Sequence, residues 1–170
     1  MRSSPLPCVA ALPADRLNEV IGVLTRREVE ARLIAPLVAA LGREFGEERV
    51  LRVLQETVAA IARGQGAELA QAMGGNSLEE FRASLEHWTR GQALAIDVLE
   101  EGAGVLAFNV TRCRYAEMYR ELGMARLGPM LSCARDFALI EGFNPRIRLT
   151  RTQTLMEGAP FCDFRYRYSK

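Results

Sequence analysis

The chain holds one histidine, His87, no Cys-x-x-Cys pair and no Cys/His spacing of the zinc-finger kind. Histidine is the usual base near neutral pH. If His87 lies remote from the thiols, no Cys–His dyad exists. Charge of one sign is also lacking: 22 basic residues face 21 acidic ones, for a net +1. Such a balance sets up no overall field for nucleic acid, and nucleic acid is not an expected partner. No apolar run approaches the roughly 20 residues that span a bilayer, so no membrane association is expected. The start, Met1 to Pro7, lacks the apolar core of a signal peptide. Four cysteines without an export signal read as reduced thiols rather than a disulfide framework. Internal repeats, low-complexity tracts and linkers are missing too. Residues 1–14 read as a flexible arm that carries Cys8, and residues 15–170 as a single domain.

What remains is a globular composition with clear periodicity. From Asp15 to about Gly46 the pattern is helical, with Val29, Leu33, Leu37 and Leu41 recurring every four residues as the buried stripe. Pro36 is expected to kink or interrupt this helix. A second helix from Glu47 to about Met73 carries Val50, Val53, Leu54, Val58 and Ile61 on one face, with Gly64 and Gly66 loosening its later turns and Gly74-Gly75 ending it. These two helices offer a face for self-association, so a homo-oligomer is a possible partner state. Asn76 or Ser77 caps a third helix with Glu79 and Glu80 in its first turn and a stripe of Phe81, Leu85 and Trp88.

The period then changes to two. Leu94, Ile96 and Val98, then Leu106, Phe108 and Val110, flank a Gly-rich turn and read as a β-hairpin, with a helical continuation through Ala93–Glu101 as the alternative. Two helices follow, about Tyr115–Leu122 and Leu127–Glu141, with Gly123 and Gly142 as their stops. A second hairpin pairs Arg146–Met156 with Phe161–Tyr168. The expected fold is α+β: N-terminal helices, then a four-stranded antiparallel sheet interrupted by a helical pair.

Three of the four thiols fall from residue 113 onward, each beside polar groups. Asn109, Thr111 and Cys113 share a strand parity, and Cys133 and Asp136 lie i, i+3 on one helix face. Thr152 and Thr154 share a face of the third strand, and Cys162 sits on the core side of the fourth. If the helical pair packs on the sheet, Cys113, Cys133 and Cys162 line one pocket. Cys133 with Asp136 is then the candidate reactive pair, and Asn109, Thr111, Thr152 and Thr154 are candidate substrate ligands. Any single cysteine is more readily accounted for as a small buried residue, the set of three less so. Arg151 reads either as a fork for a substrate carboxylate or as a strand residue paired with an acid. His87 reads as a pocket-edge or an ordinary helix histidine. No metal ligand set is assigned, and the cofactor is left unknown.

In order along the chain, Thr111-Arg112-Cys113-Arg114-Tyr115, Cys133-Ala134-Arg135-Asp136-Phe137, Phe143-Asn144-Pro145, Arg151-Thr152-Gln153-Thr154-Leu155-Met156-Glu157-Gly158 and Cys162-Asp163-Phe164-Arg165-Tyr166 together resemble the L-2-amino-thiazoline-4-carboxylic acid hydrolase family. Arg26-Arg27-Glu28-Val29-Glu30-Ala31 resembles the family's N-terminal start. The resemblance implies a bacterial, cytoplasmic enzyme that uses water to open a C–N bond in a small cyclic amidine or thiazoline carboxylate. A looser similarity, in arrangement more than residues, joins the chain to the small-molecule-binding domains named after 4-vinyl reductase. It implies instead a non-catalytic domain for a small ligand or a soft metal.

Overall fold

The computed structural model describes residues 17–169, so the N-terminal arm and Cys8 lie outside the described residues. Two long helices follow a short one at the start of the fold. A short helix α1 (Leu17–Ile21) is separated from α2 (Val23–Phe45) by Gly22, which takes φ +74°. That left-handed conformation costs a glycine little and breaks the helix there. Pro36, expected to interrupt the helix, lies inside a continuous α2. The helix α3 (Glu47–Ala72) follows.

The buried face of α2 is not the leucine stripe. Val29, Leu33 and Leu37 are 60%, 71% and 52% exposed, whereas Val23, Arg27, Ala31 and Val38 are buried. A second row, Val23, Arg27 and Ala31, two residues out of step with the first, packs inward and carries a charge at its centre. On α3 the inward residues are Val58, Ala62 and Gly66, while Val53 and Ile61 are exposed.

Ser77 caps α4 (Leu78–Ser84) through a reciprocal box with Glu80, which satisfies two otherwise orphaned backbone N–H groups. A single turn, α5 (Glu86–Thr89), leads to Gly91 at φ +65° and into the sheet. The strands β1 (Leu94–Gly102), β2 (Val105–Cys113), β3 (Ile147–Thr150) and β4 (Cys162–Tyr168) are antiparallel throughout, in the order β1-β2-β4-β3. Between β2 and β3 run α6 (Arg114–Glu121), a π-type turn at Pro129–Cys133, and α7 (Arg135–Phe143). The α+β class and the interrupted four-stranded sheet are therefore as the sequence predicts.

Three local features depart from it. First, β3 stops at Thr150, and Arg151–Thr154 belong to a loop rather than a strand. The Asp163 carboxylate accepts from the N–H groups of Thr152 and Gln153, both at 2.9 Å, and from the Thr152 hydroxyl at 2.7 Å. Those side-chain bonds take the place of ladder bonds. Second, the β1–β2 register passes from Ala95↔Arg112 to Ile96↔Val110, which leaves Thr111 as an extra residue on β2. A bulge of this kind turns the next side chains to the other face. Third, Gly142 does not stop α7, and Gly66 does not loosen α3. A β-carbon at Gly66 would overlap the carbonyl oxygen of Leu139, and one at Gly142 that of Arg63. The two glycines let α3 and α7 pack backbone against backbone.

The core forms two clusters. One, around Val23, Ala31, Tyr115, Tyr119 and Leu131, joins α2 to the helical pair. The other, around Phe81, Phe108, Phe143, Ile147 and Tyr166, joins the sheet to α4 and α7. Leu94, Cys113 and Leu155 pack against both.

Candidate functional site

Where the two clusters meet, a cavity of about 180 Å³ remains, walled by residues of both and by the start of α7. Cys113, Cys133 and Cys162 all line it, as do Asp136, Arg151 and His87. The bulge at Thr111 explains Cys113. Val110 and Cys113 both reach the cavity although their odd separation would put them on opposite faces of a regular strand. Cys133 ends the π-type turn and Asp136 lies in the first turn of α7, so one helical start delivers both.

Arg151 anchors the site. Its Nη1 donates to Asp136 Oδ2 at 2.5 Å and its Nη2 to the Cys133 carbonyl at 2.9 Å. The guanidinium carbon sits 5.1 Å from the ring centre of Phe137 and 4.9 Å from that of Phe164. Between two rings, with only 5% of its side chain exposed, Arg151 is the fixed counter-ion of Asp136. The Asp136 side chain keeps 35% of its surface, and it lies on the cavity wall.

Burial raises the Asp136 carboxyl above its ordinary pKa, and Arg151 opposes this without cancelling it. The thiols shift the same way. Burial pushes Cys113 up to about 11. Burial lifts Cys133 further, and the Asp136 charge adds to the rise. Burial also raises Cys162, against a 3.1 Å hydrogen bond that its sulfur accepts from Leu155 N–H. All three are protonated thiols at neutral pH.

Other candidates lie elsewhere. Asn109 accepts from Arg165 Nη2 at 2.8 Å and does not line the cavity. Thr111 is exposed on the bulge. Thr152 is held by Asp163. The hydroxyl of Thr154 donates to Glu157 Oε2 at 2.7 Å and accepts from Glu157 N–H at 3.2 Å, capping a 3-10 turn. His87 is exposed at the rim, and no hydrogen bond among the described residues joins it to a thiol. Among the described residues no group of three or more His, Cys, Asp and Glu side chains is placed to hold a metal ion.

The cavity also takes residues that the sequence did not single out: Arg27 from α2, Gln65 from α3, Tyr115 from α6, and Arg135 beside Asp136. The signal for Arg27 was its position inside the row Val23–Arg27–Ala31–Val38, where a lone charge interrupts an apolar helix face.

The architecture is that of an α+β domain enclosing a cavity of small-molecule size. The chain belongs to the L-2-amino-thiazoline-4-carboxylic acid hydrolase family, whose profile matches residues 26–166. No curated protein matches it. Among solved structures, the phenol-responsive sensory domain of the transcription activator PoxR, determined with phenol, superposes with a TM-score of 0.51 at 16% identity, covering 80% of this chain and 73% of that one. A trafficking protein particle complex subunit 3 from Naegleria fowleri, covalently bound to palmitic acid, gives 0.51 at 9% identity, covering 86% and 96%. These two likenesses are of fold. Among the described residues no helix is long and apolar enough to cross a membrane.

Proposed function

We propose that the protein hydrolyses a C–N bond of a small cyclic amidine carboxylate of the 2-amino-thiazoline type, with Asp136 as the general base. The observation that carries this is the Asp136 side chain on the cavity wall, hydrogen-bonded by the buried Arg151 and lying beside three thiols. Burial makes it a stronger base than a free aspartate, which suits proton abstraction near neutral pH. Water adds its oxygen to the amidine carbon and gives one proton to Asp136. That proton passes to the ring nitrogen, and Asp136 then takes the remaining hydroxyl proton as the carbonyl forms and delivers it to the same nitrogen as the ring C–N bond breaks, leaving a carbonyl and a free amine.

Asp136 ranks above the thiols because forming a thiolate at Cys133 places a second negative charge beside it. Cys133 attacks only if Asp136 first takes its proton, so a covalent route also runs through the carboxylate. Cys113 and Cys162 complete a polarizable wall. A mass-spectrometric assay for water addition to 2-amino-thiazoline-4-carboxylate and related thiazolines tests this reading. Asp136→Asn is expected to lower turnover by about 10²–10⁴-fold. Full turnover in that variant sinks the assignment, and Cys133→Ser separates direct water attack from a covalent route.

A second reading, a ligand-binding domain without turnover, is favoured by the apolar side of the cavity, where Phe81, Trp88, Phe108 and Phe164 offer ring faces to a flat molecule. Saturable binding of thiazolines with no product from the wild-type protein would select it.

A further inference from the structure

Arg27 and Arg135 lie on the same cavity wall, 5% and 8% exposed, brought together from the beginning and the end of the chain. Buried guanidinium groups are ordinarily paired with acids. Arg27 donates to Glu30, but Arg26 donates to the same carboxylate, Nε to Oε1 at 2.8 Å. Arg135 has no acid: its Nη2 donates to the side-chain carbonyl of Gln65, and no carboxylate among the described residues lies within ion-pairing distance of it. Its neighbour Asp136 is already engaged by Arg151. Arg27 therefore shares its acid with Arg26, and Arg135 has only an amide as its hydrogen-bond partner among the described residues.

None of the described buried side-chain nitrogens is without a partner, so each guanidinium nitrogen of Arg27 and Arg135 that makes no hydrogen bond keeps some accessible surface. Tyr115, on the same wall, holds the Trp88 carbonyl only at 3.5 Å, the outer limit for such a bond, and its hydroxyl is free to turn toward a better acceptor.

We propose that Arg27 and Arg135 form a carboxylate-binding subsite that orients an anionic ring compound with its ring toward Asp136 and the thiols. The proposal rests on the hydrolase reading for the second half of that statement only. Burial and the like charge of Arg27 push Arg135 down to about 10, a mutual repulsion that a bound anion reverses. Burial works to raise the Glu30 carboxyl, yet Arg27 and Arg26 outweigh it, so this one acid is already committed. Two forked cations meeting one planar anion is the arrangement in which arginine excels over lysine.

The test compares two probes on the wild-type protein by calorimetry: 2-amino-thiazoline-4-carboxylate and 2-amino-thiazoline, which lacks only the carboxylate. The carboxylate is expected to bind about 10- to 100-fold tighter. Arg135→Gln should erase that preference, raising KM for the carboxylate by the same factor and changing the affinity for 2-amino-thiazoline far less. Equal affinity of the wild-type protein for both probes overturns the subsite without any variant having to fold. The two proposals fail separately. Asp136→Asn should keep the preference for the carboxylate while losing turnover, so a wild-type protein that prefers the carboxylate but never opens its ring retains the subsite and loses the hydrolase. Unchanged KM in Arg135→Gln with normal turnover retains the hydrolase and loses the subsite.

Discussion

The two ends of the cavity handle positive charge in opposite ways. At one, Arg151 meets a single acid, Asp136, and is enclosed by Phe137 and Phe164. At the other, Arg27 shares the Glu30 carboxylate with Arg26, and Arg135 donates to the Gln65 amide. The first end is balanced within the fold. At the second, Arg135 has no acid within ion-pairing distance among the described residues. A buried pair closed on itself fixes a geometry, whereas an unbalanced cluster waits for charge from outside. Both ends are built on consecutive residues of α7, so one helix start serves both.

The largest effect is expected from removing the balanced cation. Arg151→Met leaves Asp136 without its counter-ion and should cost roughly 3–5 kcal/mol in denaturant unfolding. It should also shift the pH profile of kcat/KM. Activity that needs ionised Asp136 is lost as pH falls through its pKa, and without Arg151 that loss moves to higher pH. Arg135→Gln should cost far less, about 1 kcal/mol or under, because it removes a charge that Arg27 repels. Equal losses in the two variants would erase the distinction between the ends.

Gly142→Ala comes next. It pries α7 from α3 and so draws Gln65 away from Arg135. A loss of about 1–3 kcal/mol is expected from overpacking, seen as a drop of several degrees in Tm. Binding of the anionic probe should suffer along with it.

Thiol chemistry probes the balanced end. With Cys113 raised from 9.0 to about 11, its thiolate at neutral pH is roughly a hundredfold scarcer than for an unshifted cysteine. Alkylation followed peptide by peptide should be slower by that factor and quicken as pH rises toward 11. Rapid labelling at neutral pH would mean that water reaches this end freely.

The smallest effect belongs to the outer face of α2. Leu33→Ser, at a side chain 71% exposed, should alter stability by less than about 0.5 kcal/mol. A larger loss that depends on protein concentration would place a second copy of the chain over that face.

Much of the fold was legible because alternation and helical period are local properties. The strands β2 and β4 and the helical pair follow from spacing, whereas β1 also admitted a helical continuation and the cap before Glu80 lay between Asn76 and Ser77. The convergence of Cys113, Cys133 and Cys162 was legible too, although for Cys113 the route was different. Strict parity grouped it with Asn109 and Thr111, and only the extra residue in β2 sends it to the cavity without them. Thr152 and Thr154 were read as a strand because nothing local announces that Asp163, eleven residues after Thr152, captures the backbone there. Arg27 was hidden by a more conspicuous row of leucines and valines that points outward. Which of two apolar rows faces inward is decided by the partner helix, and a single sequence holds that only indirectly.

One side chain on the cavity wall gives the molecule a gauge of its own. Trp88 is the sole tryptophan of the chain, half-buried beside Phe81 with a ring separation of 6.3 Å. Indole emission responds to the polarity and quenching groups around the ring, and here every photon comes from the cavity wall. Excited at the red edge of the tyrosine band, the native protein will report the arrival of a ligand without a dye, a tag or a substitution.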